Sequence, residues 1–373
     1  MYKIALFSFI ALSLYANADE VAVSNNSSQM NYNNSQTNYN NNNSQMTNNS
    51  TSNTNFVTLN SAVPDSSNGW YIFADALYWH ADVDAADWAF KNTNTDAVIT
   101  AGANHTLEFK WNYGFRVGLG ANMDFDQWDT NLYYTWFQTS NSNAVGTTGS
   151  QNAWDEFGLA TEFTQGKIHW RVHYQNLDWE LGRWFYVSRN LALRPHIGLK
   201  SAWIRQRVGE HFTKLGGVLR AQSSTNNFWG VGPCGGLNTT WTFATVNTHN
   251  FSFFGDFAGA LMYGHFRVKH NEVSTVTGST TPISGFKPSG LNRNLMVPMM
   301  QGMFGLSWDT SFNRNRCHFG LRVGYELQYW FRQNQMLINE AFPAAAVTDV
   351  IAYQRANGAL ALQGLTFDLR FDF

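Results

Sequence analysis

The sequence predicts an all-β protein: a transmembrane, antiparallel, up-and-down β-barrel of about ten strands, with about eight to twelve compatible, short periplasmic turns and long outer loops. Three observations carry this. Charged residues are only 13% of the 373-residue chain, against roughly 25% in ordinary soluble domains, while aromatics reach 16%. Mean hydropathy is nonetheless -0.32, so apolar residues must be interleaved with polar ones rather than gathered in runs. A two-residue alternation then recurs from Gly69 to the last residue. The net charge of -2 lacks the basic footprint of a nucleic-acid binder. No later segment has the roughly 18 consecutive apolar residues of a spanning helix, so a membrane role needs strands.

Residues 1–18 read as a secretory signal peptide. Lys3 is its positive start, Ile4 to Tyr15 its apolar core and Ala16-Asn17-Ala18 its cleavage site. Residues 19–68 read as a disordered Asn/Ser/Thr-rich linker. From Ser24 to Asn60 there is no charged residue and too little apolar area to offset the entropy of ordering. The barrel is assigned to 69–373.

The alternation is clearest from Thr106 to Asn122. Leu107, Phe109, Trp111, Tyr113, Phe115, Val117, Leu119 and Ala121 take one face; Glu108, Lys110, Asn112 and Arg116 take the other. A helix would scatter this pattern around its axis. Strands are expected at 70–80, 105–122, 127–138, 167–186, 191–205, 228–243, 250–266, 295–308, 316–331 and 359–373. In the first, Asp75 sets the inner face with Phe73, Leu77 and Trp79. The fourth changes phase near Leu177, which reads as a register slip at a bulge. Connections alternate between short (Met123 to Asp126, Ser188 to Asn190, Ala244 to His249, Asp309 to Asn315) and long (81–104, 139–166, 206–227, 267–294, 332–358). Trp128 to Trp136, Trp229 to Trp241 and Phe319 to Tyr329 are spaced to mark both edges of a lipid-facing band, on the order of 25 Å tall.

The chain closes on LTFDLRFDF. Leu365, Phe367, Leu369, Phe371 and Phe373 should face lipid, and the strand should pair with the first so that no edge lies in the bilayer. Leu369, Phe371 and Phe373 are the expected signal to the barrel-assembly machinery.

Apolar faces toward lipid place Glu108, Lys110, Arg116, Asp129, Arg171, His173, Arg194, His196, Lys200, Arg322, Glu326, Asp368 and Arg370 along the lumen. Both signs occur in similar numbers. They tune conduction in an open pore, or pair across a filled interior, since a barrel of this size is near the limit where side chains just fill it. The inner-face glycines, Gly114, Gly118, Gly120, Gly320 and Gly324, either make room for long neighbours or permit curvature. His169 and His173, with Arg171 between them, are poor metal ligands; Asp82, Asp84 and Asp87 lack calcium-loop spacing. No catalytic residue, metal or cofactor is expected. Cys234 and Cys317 fall on opposite faces of different strands, so they should remain unpaired. Some barrels of this strand number, the omptins, are rim proteases, but here Glu210 and His211 are adjacent and should point apart.

The stretches GWYIFADALYWHADVDAADWAF and FKWNYGFRVGLGANMDFDQWDTNLYYTWF, then LRPHIGLKSAWI, FWGVGPCGGLNTTW, FFGDFAGALMYGHF and the closing strand, resemble the Legionella-type major outer membrane protein family, found also in chlamydia-like bacteria. The resemblance covers about 69–373. It implies a pore-forming outer-membrane β-barrel without established catalytic residues. The expected function is porin-like passive diffusion of small hydrophilic solutes or ions across the bacterial outer membrane. A surface adhesin or structural protein with a largely filled barrel is the alternative, and a rim protease a minor one. Expected partners are outer-membrane lipid, the assembly machinery and small solutes; homo-oligomer formation stays open, and no nucleic acid is expected.

Overall fold

The computed structural model describes residues 69–92, 102–123, 126–147, 153–155, 162–214, 216–312, 317–341 and 351–373; the signal peptide and linker assigned above lie outside them. Ten long strands form the barrel: β1 (Trp70–Val83), β2 (Asn112–Asn122), β3 (Trp128–Gly146), β4 (Gln165–Arg183), β5 (Leu191–Thr213), β6 (Val218–Val246), β7 (His249–Val276), β8 (Arg293–Phe312), β9 (Cys317–Asn334) and β10 (Gly358–Asp372). Each pairs antiparallel with its sequence neighbours, and β10 pairs with β1. Ile72 stands opposite Phe371, and the Phe373 amide donates to the Trp70 carbonyl at 3.0 Å. Closure leaves no free edge, as the terminal alternation requires.

The short connections sit where expected. Asn247 and Thr248 alone join β6 to β7, with Asn247 in the left-handed region (φ 57°) that asparagine tolerates in a tight hairpin. The long ones differ. Residues expected as loops at 139–166, 206–227 and 267–294 are largely strand. β5 and β6 run on until only 214–217 separate them, and β6 reaches 29 residues. That length gives roughly 70 Å of height at ordinary rise and tilt, nearly three times a lipid band. The barrel therefore has two zones along its axis.

In the zone near the short turns, apolar side chains point out and polar ones in, as on β10 with Leu365, Phe367 and Leu369 exposed and Thr366 buried. Toward the long-loop end the outward faces become polar; on β4 apolar side chains move inside, while β6 and β7 keep polar groups inside, with Arg220 paired to Glu272 at 2.7 Å. On β4, Leu177 and Trp179 are exposed below, Lys167 and Arg171 above, all on one face; Asp178 and Glu180 are buried below, Ile168, Trp170 and Val172 above, on the other. The expected slip near Leu177 does not occur: β4 pairs without a break from Gln165 to Gly182 with both neighbours. The phase changes because the outer face meets a different medium, not because the strand shifts.

Inner glycines make room. A Cβ at Gly118 would collide with the Phe73 ring, and one at Gly120 with the Tyr71 ring. At the long-loop end, Asp87–Asn92, Gly102–Thr106, Ala153–Asp155 and Glu162–Phe163 form a small sheet, and Leu337–Ala341 pairs with Ile351–Arg355. Trp88 from the first of these is fully buried, its ring 6.2 Å from Phe212 of β5.

Candidate functional site: a polar chamber under an apolar seal

Alternation forces the polar residues of the lower zone inward, where they pair. The Arg116 guanidinium donates to Asp75 at 2.8 Å on the neighbouring strand and to Glu326 of β9 at 2.7 Å. Arg194 reaches Asp129 at 2.5 Å and Glu180 at 3.2 Å; Lys200 meets Asp178 at 2.7 Å. Arg322 pairs with Asp256 at 2.6 Å and stacks 3.8 Å from the Phe254 ring centroid. Arg370 pairs with Asp372 at 2.6 Å over the Tyr71 ring, and His318 contacts Asp372 at 2.9 Å. Charges removed from bulk water need such partners. They surround a cavity of about 260 Å³ whose lining includes Arg194, His196, Arg322, Glu326, Asp368 and Arg370 and continues to Ser188 and Asn190 in a short turn.

Nine of the thirteen expected lumen residues therefore do face inward: Arg116, Asp129, Arg194, His196, Lys200, Arg322, Glu326, Asp368 and Arg370. Four do not. Glu108 and Lys110 are exposed in the segment preceding β2, where Leu107 and Phe109 turn inward instead. Arg171 and His173 lie on the outward face of β4, above the inversion. The expected list of lumen residues left out Asp178, Glu180, Asp256, Asp309, His318 and Asp372, although His318 and Asp372 lie on the polar faces of their strands and Asp178 and Glu180 simply continue the alternation with Leu177, Trp179 and Leu181. They change the electrostatics. Among the described residues of the lower zone, Asp75, Asp129, Asp178, Glu180, Asp256, Asp309, Glu326, Asp368 and Asp372 face inward against Arg116, Arg194, Lys200, Arg322 and Arg370. The lumen is acidic, not balanced.

Above the chamber the inward residues become apolar. Leu77 and Trp79 (β1), Phe137 (β3), Tyr174 (β4), Ala202 and Ile204 (β5), Phe228 (β6), Met262 and Phe266 (β7), Val297 and Met299 (β8), Trp330 (β9), and Leu360 and Leu362 (β10) are each at most 2% exposed. Trp79 lies 5.7 Å from Phe137 and donates its indole N–H to Thr366 at 3.1 Å; Phe228 lies 4.7 Å from Phe266. The Tyr174 and Trp330 rings meet edge-on at 5.8 Å, and the Tyr174 hydroxyl donates to Gln328 at 2.7 Å. Strands β4 and β9 are five apart in a ring of ten, so these contacts span the full diameter. A water-filled passage at this level would expose the residues lining it; these are not exposed.

Above the seal, Gln206 and Asn226 donate to the Gln333 carbonyl at 3.3 and 2.6 Å, and Asn334 donates to the Asp84 carbonyl at 3.1 Å. In the outer hairpin, burial and then the neighbouring Arg293 charge lower the Arg355 pKa, while its guanidinium donates to the Leu291 carbonyl at 2.6 Å. No group of three or more metal-ligating side chains occurs among the described residues. Glu210 is buried inward and its neighbour His211 exposed outward, so the two do not converge. Both cysteines are free.

Among solved structures, the barrel is similar to the outer membrane protease OmpT from Escherichia coli: 8% identity, 83% of this chain, 97% of that chain, TM-score 0.35. It is also similar to a Pseudomonas aeruginosa FadL homologue (6%, 83%, 90%, TM-score 0.24) and to the Pseudomonas putida toluene transporter TodX (8%, 83%, 90%, TM-score 0.17). Comparison with curated protein sequences finds no match. The family profile described as Legionella pneumophila major outer membrane protein precursor matches residues 62–373. With its apolar belt, closed sheet and paired polar interior, the chain thus belongs to the Legionella major outer membrane protein family, and its place is the bacterial outer membrane.

Proposed function

We propose that this protein serves the outer membrane as a sealed barrel, a structural and surface-presenting protein rather than a constantly open diffusion pore. The observation that supports this most directly is the Tyr174–Trp330 contact, which joins opposite walls inside a layer with no exposed side chain. The strand extensions and the small outer sheet then act as a rigid platform facing the exterior. On this reading the protein is not an enzyme.

A second reading is favoured by the chamber itself. Its polar, acidic walls reach up to the seal, where Arg116 lies 5.9 Å from the Trp79 ring. If the seal opens, small hydrophilic solutes pass, and the carboxylate excess prefers cations. Planar-bilayer recording of the refolded full chain separates the two. The sealed reading expects no discrete conductance steps from the wild type, and cation-preferring steps from a Trp330→Ala, Tyr174→Ala variant. Discrete steps from the wild type at low voltage would overturn it in favour of the pore.

A further inference from the structure

The outward face just above the apolar belt is strongly basic on one side of the barrel. Trp136, Gln175, Trp203 and Trp229 stand side by side on β3 to β6 and mark the belt's outer edge. The next outward row reads Gln138, His173, Arg205, Asn227, Arg267; the one above it Ser140, Arg171, Arg207, Thr225, Lys269. Five fixed cations fall in two adjacent rows. Among the described residues, none of the five has an ion-pair partner and neither row contains a carboxylate. Arg171 stands directly opposite Arg207. Like charges in that position oppose pairing unless an anion lies between them. Gln138, Arg171, His173, Arg205 and Arg207 line a shallow cleft of about 120 Å³. At similar height on the other side, β1 and β10 carry His80, Asp82, Ala361 and Gln363 outward, so the charge is local rather than a uniform collar.

We propose that this cleft binds the phosphorylated headgroup of an outer-leaflet glycolipid. The inference rests on the outer-membrane placement, not on whether the lumen conducts. The height selects the ligand: an anion held one to two residue pairs above the tryptophan edge belongs to a molecule whose acyl chains occupy the belt. Leu177, Trp179, Leu199 and Trp203 are exposed directly below and supply the wall for those chains. Arg171 on β4 and Arg205 and Arg207 on β5 line one cleft on neighbouring strands, about 4.8 Å apart, a spacing that lets their guanidinium groups share one phosphate through paired N–H donors. Gln138, Ser140 and Asn227 flank them with amide and hydroxyl groups suited to sugar hydroxyls.

The test uses the full chain refolded in detergent micelles, its closed barrel verified by heat-modifiable gel migration. A bisphosphorylated diglucosamine glycolipid, its dephosphorylated counterpart and inorganic phosphate are titrated separately, with binding read by native mass spectrometry. The phosphorylated glycolipid should bind the wild type with about one equivalent retained. The Arg171→Gln, Arg205→Gln, Arg207→Gln variant should lose roughly tenfold or more in affinity, as should the dephosphorylated lipid on the wild type. A Lys287→Gln control, exposed elsewhere, should bind as the wild type does. Millimolar inorganic phosphate should not displace the lipid; full displacement would reassign the cleft to free phosphate and overturn the lipid assignment. Equal binding by the triple variant would overturn the site altogether.

Discussion

The two halves of β5 make opposite use of the same alternation. From Leu193 to Trp203 the outward residues include Ile197 and Leu199, while Arg194, His196 and Lys200 are buried inside. From Ile204 to Phe212 the outward residues include two arginines, and Ile204, Val208 and Phe212 are buried inside beside Gln206 and Glu210. Backbone, register and face assignment continue across the change. What differs is the medium against the outer face. Lipid demands apolar side chains and leaves the polar ones to the lumen, where each cation finds a carboxylate; water above lipid accepts arginine outside and lets apolar residues pack inside beside paired polar groups such as Arg220 and Glu272. The apolar seal is the foot of that upper core. On the sealed reading, a barrel tall enough to leave the membrane closes by hydrophobic packing of its own strands.

Substitutions can break this contrast in order of size. Arg116→Met strands two carboxylates, Asp75 and Glu326, in the lower zone; unfolding by denaturant in micelles should show a loss of about 3–5 kcal/mol. A loss below about 1 kcal/mol would mean that chamber water solvates them and that pairing is not what holds the lower interior. Leu199→Arg places a cation in the middle of the belt and should cost about 2–4 kcal/mol when refolded into vesicles. Ser223→Arg, outward on β6 above the boundary and opposite the uncharged Gly209 and Asn271, should change stability by no more than about 0.5 kcal/mol. Equal costs at these two positions would erase the proposed boundary. A comparably small effect belongs to the rim pair, Arg183 with Asp126 at 2.6 Å, both partly exposed. Arg183→Ala should cost between about 0 and 1 kcal/mol, read from the same unfolding midpoints.

Much of the lower zone was legible in the sequence. The closing strand, the inner position of Asp75 and the faces of β2 and β9 follow from strict period two, because a strand cannot place neighbouring residues on one side. The candidate site was only partly legible. Arg171 and His173 alternate as regularly as Arg194 and His196, but polarity alone cannot say whether a polar row faces a lumen or open water. The same ambiguity turned a continuous β4 into an expected slip, hid Asp178 and Glu180, and made the upper strands look like loops. It also concealed the lumen's acidity, because the missing inward groups are mostly carboxylates.

The sequence by itself determined that the chain forms alternating strands, that its end is a strand closing against its first, and that few charges and many aromatics suit a lipid belt. Local sterics and the two-residue period suffice for that. Only the tertiary structure decided that there are ten strands, that β4 and β9 face each other across the lumen, and that Tyr174 and Trp330 meet there. Those facts depend on closure. Which residues stand opposite one another across a ring is set by strand number and stagger, and neither is encoded within any single strand.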